Sequence, residues 1–228
     1  MHNNTVFAQL RRRSQKRETP SKRKEKTRNL QVHFLIMCEG KSTEPNYFKN
    51  LIKDKRSAIL TCKIQGAGKG TIALIEETSR KKCELEKSNS MEFDRVWVVF
   101  DKDDFTDFNE AIKQAKKKDF RCAWSNSAFE LWYCLHFKKI TKHTSSKELC
   151  QLLSKLISKK TNKTYKYKKS DEQLFDLLQD KGSEINAINF AKELRNLHKG
   201  CDYKNHNPCT TVDILVQELR NPEQLSIT

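Results

Sequence analysis

A chain of 228 residues, 36% hydrophobic and 32% charged, suits one domain with an appendage or two small domains around a core of ordinary size. Forty-five Lys and Arg against 29 Asp and Glu leave a net charge of +16, which points to polyanionic partners. No apolar run approaches the roughly 20 residues that a bilayer requires, so a membrane role is not expected.

The first thirty residues carry ten Lys or Arg against Glu18 and Glu25, half of the net charge. Residues 1–29 lack hydrophobic periodicity and are expected to form a basic, disordered tail. Arg11, Arg12, Arg13, Lys22, Arg23 and Lys24 are its candidate phosphate contacts; a merely solubilising tail is the alternative. Met1–Leu10 is too short for a secretory signal and runs into the arginine cluster. Eight cysteines are scattered (Cys38, Cys62, Cys83, Cys122, Cys134, Cys150, Cys201 and Cys209), several of them in apolar runs. They read as free thiols in a reducing cytoplasm.

Leu30–Cys38 reads as a first strand, followed by a loop and a helix from Thr43 to about Lys53, with Thr43 as cap and Pro45 in the first turn. Ala58–Ile64 is a second strand. Gly66-Ala67-Gly68-Lys69-Gly70-Thr71 then leads into a helix to about Lys87, with Ile72, Leu74, Ile75 and Thr78 on its buried side. The glycine stretch is not a Walker loop, because Lys63 stands where the first glycine belongs and Gly70 follows Lys69. Lys69 at that helix start, and Lys41 in the first loop, remain candidates for contact with a nucleic-acid phosphate.

Arg95–Phe105, RVWVVFDKDDF, organises the chain. Val96 to Phe100 are apolar on both strand faces, as in a covered central parallel strand. The run ends abruptly in Asp101, Asp103 and Asp104. A helix across Phe105–Lys118, a fourth strand Phe120–Ser125 and an apolar helix through Phe137 follow. This alternation predicts an α/β fold with a mainly parallel sheet covered by helices.

From Thr144 onward the pattern is helical. Lys147–Ser158 carries Leu149, Leu152, Leu153 and Leu156. A loop, Lys159–Lys169, leads to Glu172–Leu178. Glu184–Leu197 places Ile185, Ile188, Ala191, Leu194 and Leu197 as core. A final helix after Asn207-Pro208 buries Val212, Leu215, Val216 and Leu219. The expected organisation is a tail (1–29), an α/β domain (30–143) and a helical C-terminal portion packed on it (144–228).

Acids stand at three strand ends: Glu39, then Asp101 and Asp103, then Glu130. Parallel strands bring those ends to one edge, where open α/β sheets bind ligands. Oxygen-only donors favour Mg²⁺ or Mn²⁺, which can activate water and offset charge on a phosphodiester. Each acid alone is more simply a solvated helix start; together they favour a site. His198, Cys201, His206 and Cys209 have zinc-ligand types, but their central spacing is too short for a standard finger.

Glu-Gly after the first strand and Asp-x-Asp after the third resemble the TOPRIM domain of topoisomerases, primases and OLD-type nucleases. CEGKSTEPNYF (38–48), VWVVFDKDDF (96–105), SNSAFELWYCLHF (125–137) and NPCTTVDILVQEL (207–219) resemble the RloB-like family, associated with restriction and abortive infection. The resemblance spans roughly residues 30–220, departing at Ser127, where proline is expected, and at Cys209, where serine is common. It implies a TOPRIM-like sheet, with Glu39 as metal ligand or general acid/base, Asp101 and Asp103 as metal ligands, and Glu44 and Glu130 as second-metal or positioning groups. It further implies a Mg²⁺- or Mn²⁺-dependent nuclease, the effector of an anti-phage defence system, with an ATPase or nucleoprotein partner.

The alternative is a noncatalytic component of a defence complex that binds nucleic acid or a partner. A topoisomerase or primase would need further domains. Small size tilts the expected substrate towards RNA, a structured RNA such as tRNA included, over DNA. So does the Lys159–Lys169 loop, where Tyr165 and Tyr167 alternate with lysines and can stack unpaired bases. Tyrosines packed inward beneath a solvated lysine loop are the alternative there.

Overall fold

Parity along the strands decides the architecture. In the computed structural model, which describes residues 32–53, 60–68, 70–103 and 106–225, β1 (Val32–Cys38) sends Phe34 and Ile36 to one side and Leu35 and Met37 to the other. β3 (Arg95–Asp101) does the same with Trp97 and Val99 against Val96, Val98 and Phe100. Successive side chains of a strand point to opposite faces, so two apolar sets of this kind need cover on both.

β2 (Leu60–Gly66) and β4 (Arg121–Asn126) complete the parallel part, with Ile36 in register with Trp97 and Phe100 with Trp124. A two-residue strand, β5 (Cys209–Thr210), joins antiparallel to β4, giving the order β2-β1-β3-β4-β5. β3 is central, as its two-sided apolarity predicts. The fold is thus mixed α/β with a five-stranded, mostly parallel sheet and, among the described residues, eight α-helices.

Helices α2 (Thr71–Asn89) and α3 (Phe108–Lys117) cover one face through Leu74, Ile75, Phe108, Ala111 and Ala115. The other face takes α1 (Thr43–Lys53), α4 (Glu130–Leu135), α5 (Ser146–Thr161), α6 (Leu174–Lys181), α7 (Glu184–Asn196) and α8 (Val212–Arg220). The α-helices of the C-terminal portion therefore lie on the side of Trp97 and Val99, while Tyr203 packs on the opposite face. Each fully buried Leu, Ile or Phe there contributes about 1.5–3 kcal/mol.

Local signals set the helix ends. Ser145 and Glu148 form a capping box at the start of α5, and Ser183 accepts the Asn186 N–H at the start of α7. Arg195 of α7 donates to the buried Asp213 carboxylate (2.8 Å to Oδ2) and to Thr210 O (2.8 Å), fastening β5 between α7 and α8. The peptides before Ser127 and before Pro208 are both cis.

Several expectations are corrected. Thr43 does not cap α1 but lies inside it, its hydroxyl donating to Lys169 O at 3.1 Å. Ile185 (72% exposed) and Leu197 (63%) are not core; the buried stripe of α7 is Ala187, Ala191 and Leu194. A strict three-residue repeat drifts about 60° per step around an α-helix, so its two ends rotate into solvent. β5 escaped notice because two residues carry no periodicity. Among the residues lying outside those described are the tail candidates Arg11, Arg12, Arg13, Lys22, Arg23 and Lys24, and also Lys69.

Candidate active site

Asp101 is the last residue of β3 and continues the parity of Trp97 and Val99, so its side chain leaves the sheet on the α1 and α4 side. Glu39 follows β1 directly: its N–H extends the ladder to Val99 O (2.8 Å), and its Oε2 accepts the Asp101 N–H at 3.2 Å. Glu44 sits in the first turn of α1, and Glu130 opens α4; they are 5% and 1% exposed. Asp103 lies on the exposed turn after β3 with φ +33°, its N–H donating to Ser127 O (3.1 Å). All five line one cavity of about 420 Å³, together with Lys41, Lys169 and Gly68.

Two glycine contacts hold the first loop in place. A Cβ on Gly66 would stand 2.4 Å from Gly40 O and 2.7 Å from Lys41 Cα. The Ala67 and Gly68 N–H groups donate to Cys38 O and Glu39 O, both at 2.8 Å. The glycine stretch thus docks against the end of β1 and supports Glu39. Gly40 itself donates to Glu44 Oε1 at 3.3 Å, and its missing Cβ leaves room for that carboxylate.

Gathering acids in a partly closed space raises their proton affinity. Burial lifts the Glu39 carboxyl to about 7; the Asp101 N–H pulls it back, and the charges of Glu44, Asp103 and Asp107 add to the rise. Burial also raises Glu44, with Glu130 adding repulsion. Asp101 is raised well above the ordinary range by burial, then by Glu44 and Glu130, with the Phe129 N–H opposing, and its Oδ1 is buried with no hydrogen-bond partner among the described residues. Burial works against the Lys169 ammonium, yet Glu130, Asp101 and Asp103 together hold its pKa above the ordinary lysine value.

The structure departs from the nucleic-acid candidates of the lysine loop. Tyr167 is 9% exposed and donates to Glu130 Oε1 at 2.8 Å; Tyr165 packs against the same core and donates to Asp171 Oδ2 at 2.6 Å. Tyr167 has no face open for a base, and it serves instead to hold a cavity carboxylate. Lys41 is exposed on the cavity rim. Sequence reading passed over Lys169, whose place in the cavity depends on the Thr43–Lys169 contact across 126 residues. It also passed over Asp107, which accepts the Thr71 hydroxyl at 2.6 Å and adds its charge against Glu39. His198 and His206 stack with centroids 4.7 Å apart, and His198 Nε2 lies 3.3 Å from Pro208 O.

The donor set suits a hard divalent cation: carboxylate oxygens only, one of them buried and unpartnered, in a space where like charges crowd. Among the described residues, no three Asp, Glu, His or Cys side chains are grouped closely enough to hold a metal as they stand.

Fold and cavity define an α/β protein with carboxylates converging at the C-terminal edge of a mostly parallel sheet. The family model described as RloB-like protein matches residues 34–219, and the chain belongs to the RloB-like family. No curated protein and no solved structure matches it. Among the described residues, no helix is long and apolar enough to cross a membrane.

Proposed function

We propose that this cavity is the active site of a cation-dependent, TOPRIM-type nuclease that hydrolyses phosphodiester bonds, with RNA such as tRNA ahead of DNA, as a cytoplasmic effector of anti-phage defence. The observation that carries the reading is Asp101: a half-buried residue ending the central strand, with one carboxylate oxygen buried and, among the described residues, unpartnered, beside four further described acids and two described lysines. Burying such a group costs stability unless something neutralises it. A binding role alone gives no reason to keep it.

Asp101 and Asp103 are the residues to hold Mg²⁺ or Mn²⁺, with Glu44 and Glu130 as further oxygen donors. The cation, when bound, would neutralise the crowded carboxylates and polarise a phosphoryl oxygen. Glu39, raised to about 7, is suited to exchange a proton with water near neutral pH. Lys41 and Lys169 offset charge on the phosphate that the acids would otherwise repel. Tyr167 orients Glu130 through its hydroxyl, and the Gly66 contact fixes the Glu39 loop. An ATPase or nucleoprotein partner would supply the trigger.

One observation favours the noncatalytic alternative, since no three of the described acids stand ready to hold a metal. The test incubates the full chain and Asp101→Asn with RNA and DNA pools, with Mg²⁺, with Mn²⁺ or with chelator. Cleavage by the wild type alone, lost with chelator, is expected, while Asp101→Asn still binds. If the wild type binds but cleaves neither pool with either cation, the binding reading replaces this one.

A further inference from the structure

Asp103 borders two cavities. Beyond the acid cavity, its other side faces a second space of about 430 Å³ with the opposite charge. Lys102, His143, Lys147 and Lys204 line it with Ser146 and Asn205, and among the described residues Asp103 on the shared rim is its one acid. Lys147 and Lys204 are exposed and make no ion pair with any described residue.

Nearby acids are occupied elsewhere. Glu148 Oε2 accepts the Ser145 N–H (2.8 Å) and hydroxyl (2.7 Å) in the capping box. The Asp202 carboxylate accepts from the Asn109 and Asn205 amides at 2.7 and 2.6 Å. Their charges still reach His143 and Lys204, but no carboxylate of a described residue stands at ion-pair distance from Lys147 or Lys204, so the lining keeps an excess of cations.

Its walls come from four separate stretches of chain, and a polar network holds them together. Asn207 accepts the Thr144 N–H (3.1 Å) and donates to Asn126 Oδ1 (3.2 Å), while Asn126 donates to Lys204 O (2.9 Å). Ser127 donates to Thr144 O (2.9 Å), and its own carbonyl takes the Asp103 N–H. The frame that sets the lysines therefore also sets the acid turn. A carboxylate-lined cavity repels the phosphates flanking any bond presented to it, and a fixed basic space next door offsets that repulsion.

We propose that this basic cavity binds the phosphodiester backbone next to the bond presented at the acid cavity. The substrate is then a nucleic-acid strand running past Asp103, not a small phosphate ester. This rests on the nuclease reading for what happens at the acids, but the binding of the strand can be tested apart from cleavage.

The experiment titrates a labelled single-stranded RNA against the full chain in chelator over a range of KCl concentrations. Wild type is compared with the Lys147→Gln/Lys204→Gln double variant and with Lys147→Arg/Lys204→Arg. Each lost phosphate contact flattens the slope of log affinity against log salt by about 0.7 for a single strand, so the Gln pair should lose about 1.4 and bind more weakly. The Arg pair should keep the wild-type slope, and all three proteins should show the same thermal unfolding. An unchanged slope in a folded Gln pair overturns the proposal even if the wild type cleaves RNA. Failure of the wild type to bind nucleic acid at any salt overturns both readings. A flattened slope in a protein that cleaves nothing overturns the nuclease alone and retains the strand-binding cavity.

Discussion

The Tyr167 hydroxyl donates to Glu130 Oε1 across 2.8 Å, joining the lysine-rich loop before α6 to the first residue of α4. Glu130 is 1% exposed, so its carboxylate has little water to turn to. Tyr167→Phe keeps the ring and removes the donor. A buried acceptor left without its donor costs about 1–3 kcal/mol, and that loss is expected in urea unfolding. Affinity for nucleic acid should stay within about twofold, less than about 0.4 kcal/mol. Lost affinity at unchanged stability would show that the Tyr167 hydroxyl contacts the nucleic acid instead of serving Glu130.

Glu39 gives the metal-free protein a characteristic pH response. Its carboxyl is raised from 4.5 to about 7, chiefly by burial, so the folded state holds a proton that the unfolded chain has already released. The contribution to stability is complete below about 4.5 and is lost as pH rises through about 7. Thermal unfolding in chelator should therefore show a less stable protein at pH 8 than at pH 6, and Glu39→Gln should reduce the difference. Added Mg²⁺ should restore stability at pH 8, because a cation favours the ionised acids. Equal responses of wild type and Glu39→Gln to pH would show that this carboxyl titrates in its ordinary range.

Gly66→Ala tests the support beneath the acid loop. The new Cβ would meet backbone atoms, Gly40 O at 2.4 Å and Lys41 Cα at 2.7 Å, so the loop itself must move. Overpacking of this kind costs about 1–3 kcal/mol and should displace Glu39, lowering any cation-dependent activity more than it lowers nucleic-acid binding. Gly200→Ala is the control: no described residue lies within 4 Å of its Cβ, and only the φ of +77° penalises it, by about 1 kcal/mol. Equal effects of the two changes on activity would remove the packing argument.

His136 acts with the opposite sign. Its ring is 2% exposed, Nδ1 lies 3.0 Å from Trp132 O, and burial lowers its pKa from 6.5 to about 4. The folded state resists a proton that the unfolded chain accepts. Its contribution is complete above about 6.5 and fades as pH falls through about 4. The shift corresponds to about 3 kcal/mol over that window. Unfolding of His136→Asn, which can still donate to Trp132 O, should show a smaller loss than wild type between pH 6.5 and 4. Parallel curves would place the acid sensitivity elsewhere.

The strand identities were legible because β1 and β3 are apolar on both faces, a pattern only a doubly covered sheet accommodates. The placing of Glu39, Asp101 and Glu130 at one edge followed from parallel order alone, and all three line the same cavity. In α7, by contrast, the three-residue repeat from Ile185 to Leu197 misled, since hydrophobic identity does not say how a helix is rotated.

Composition, strand parity and the position of acids after strands are local properties, and they sufficed for the α/β class, the central strand and the acid-bearing edge. The inward turn of Tyr167, the arrival of Lys169 and Asp107 at the acids, and the pairing of β5 with β4 were decided only in three dimensions. Each depends on groups far apart in the chain, such as Thr43 with Lys169 or Asn126 with Asn207. Such contacts form only after the core has covered the entropic cost of closing long loops, and no local pattern of residues records them.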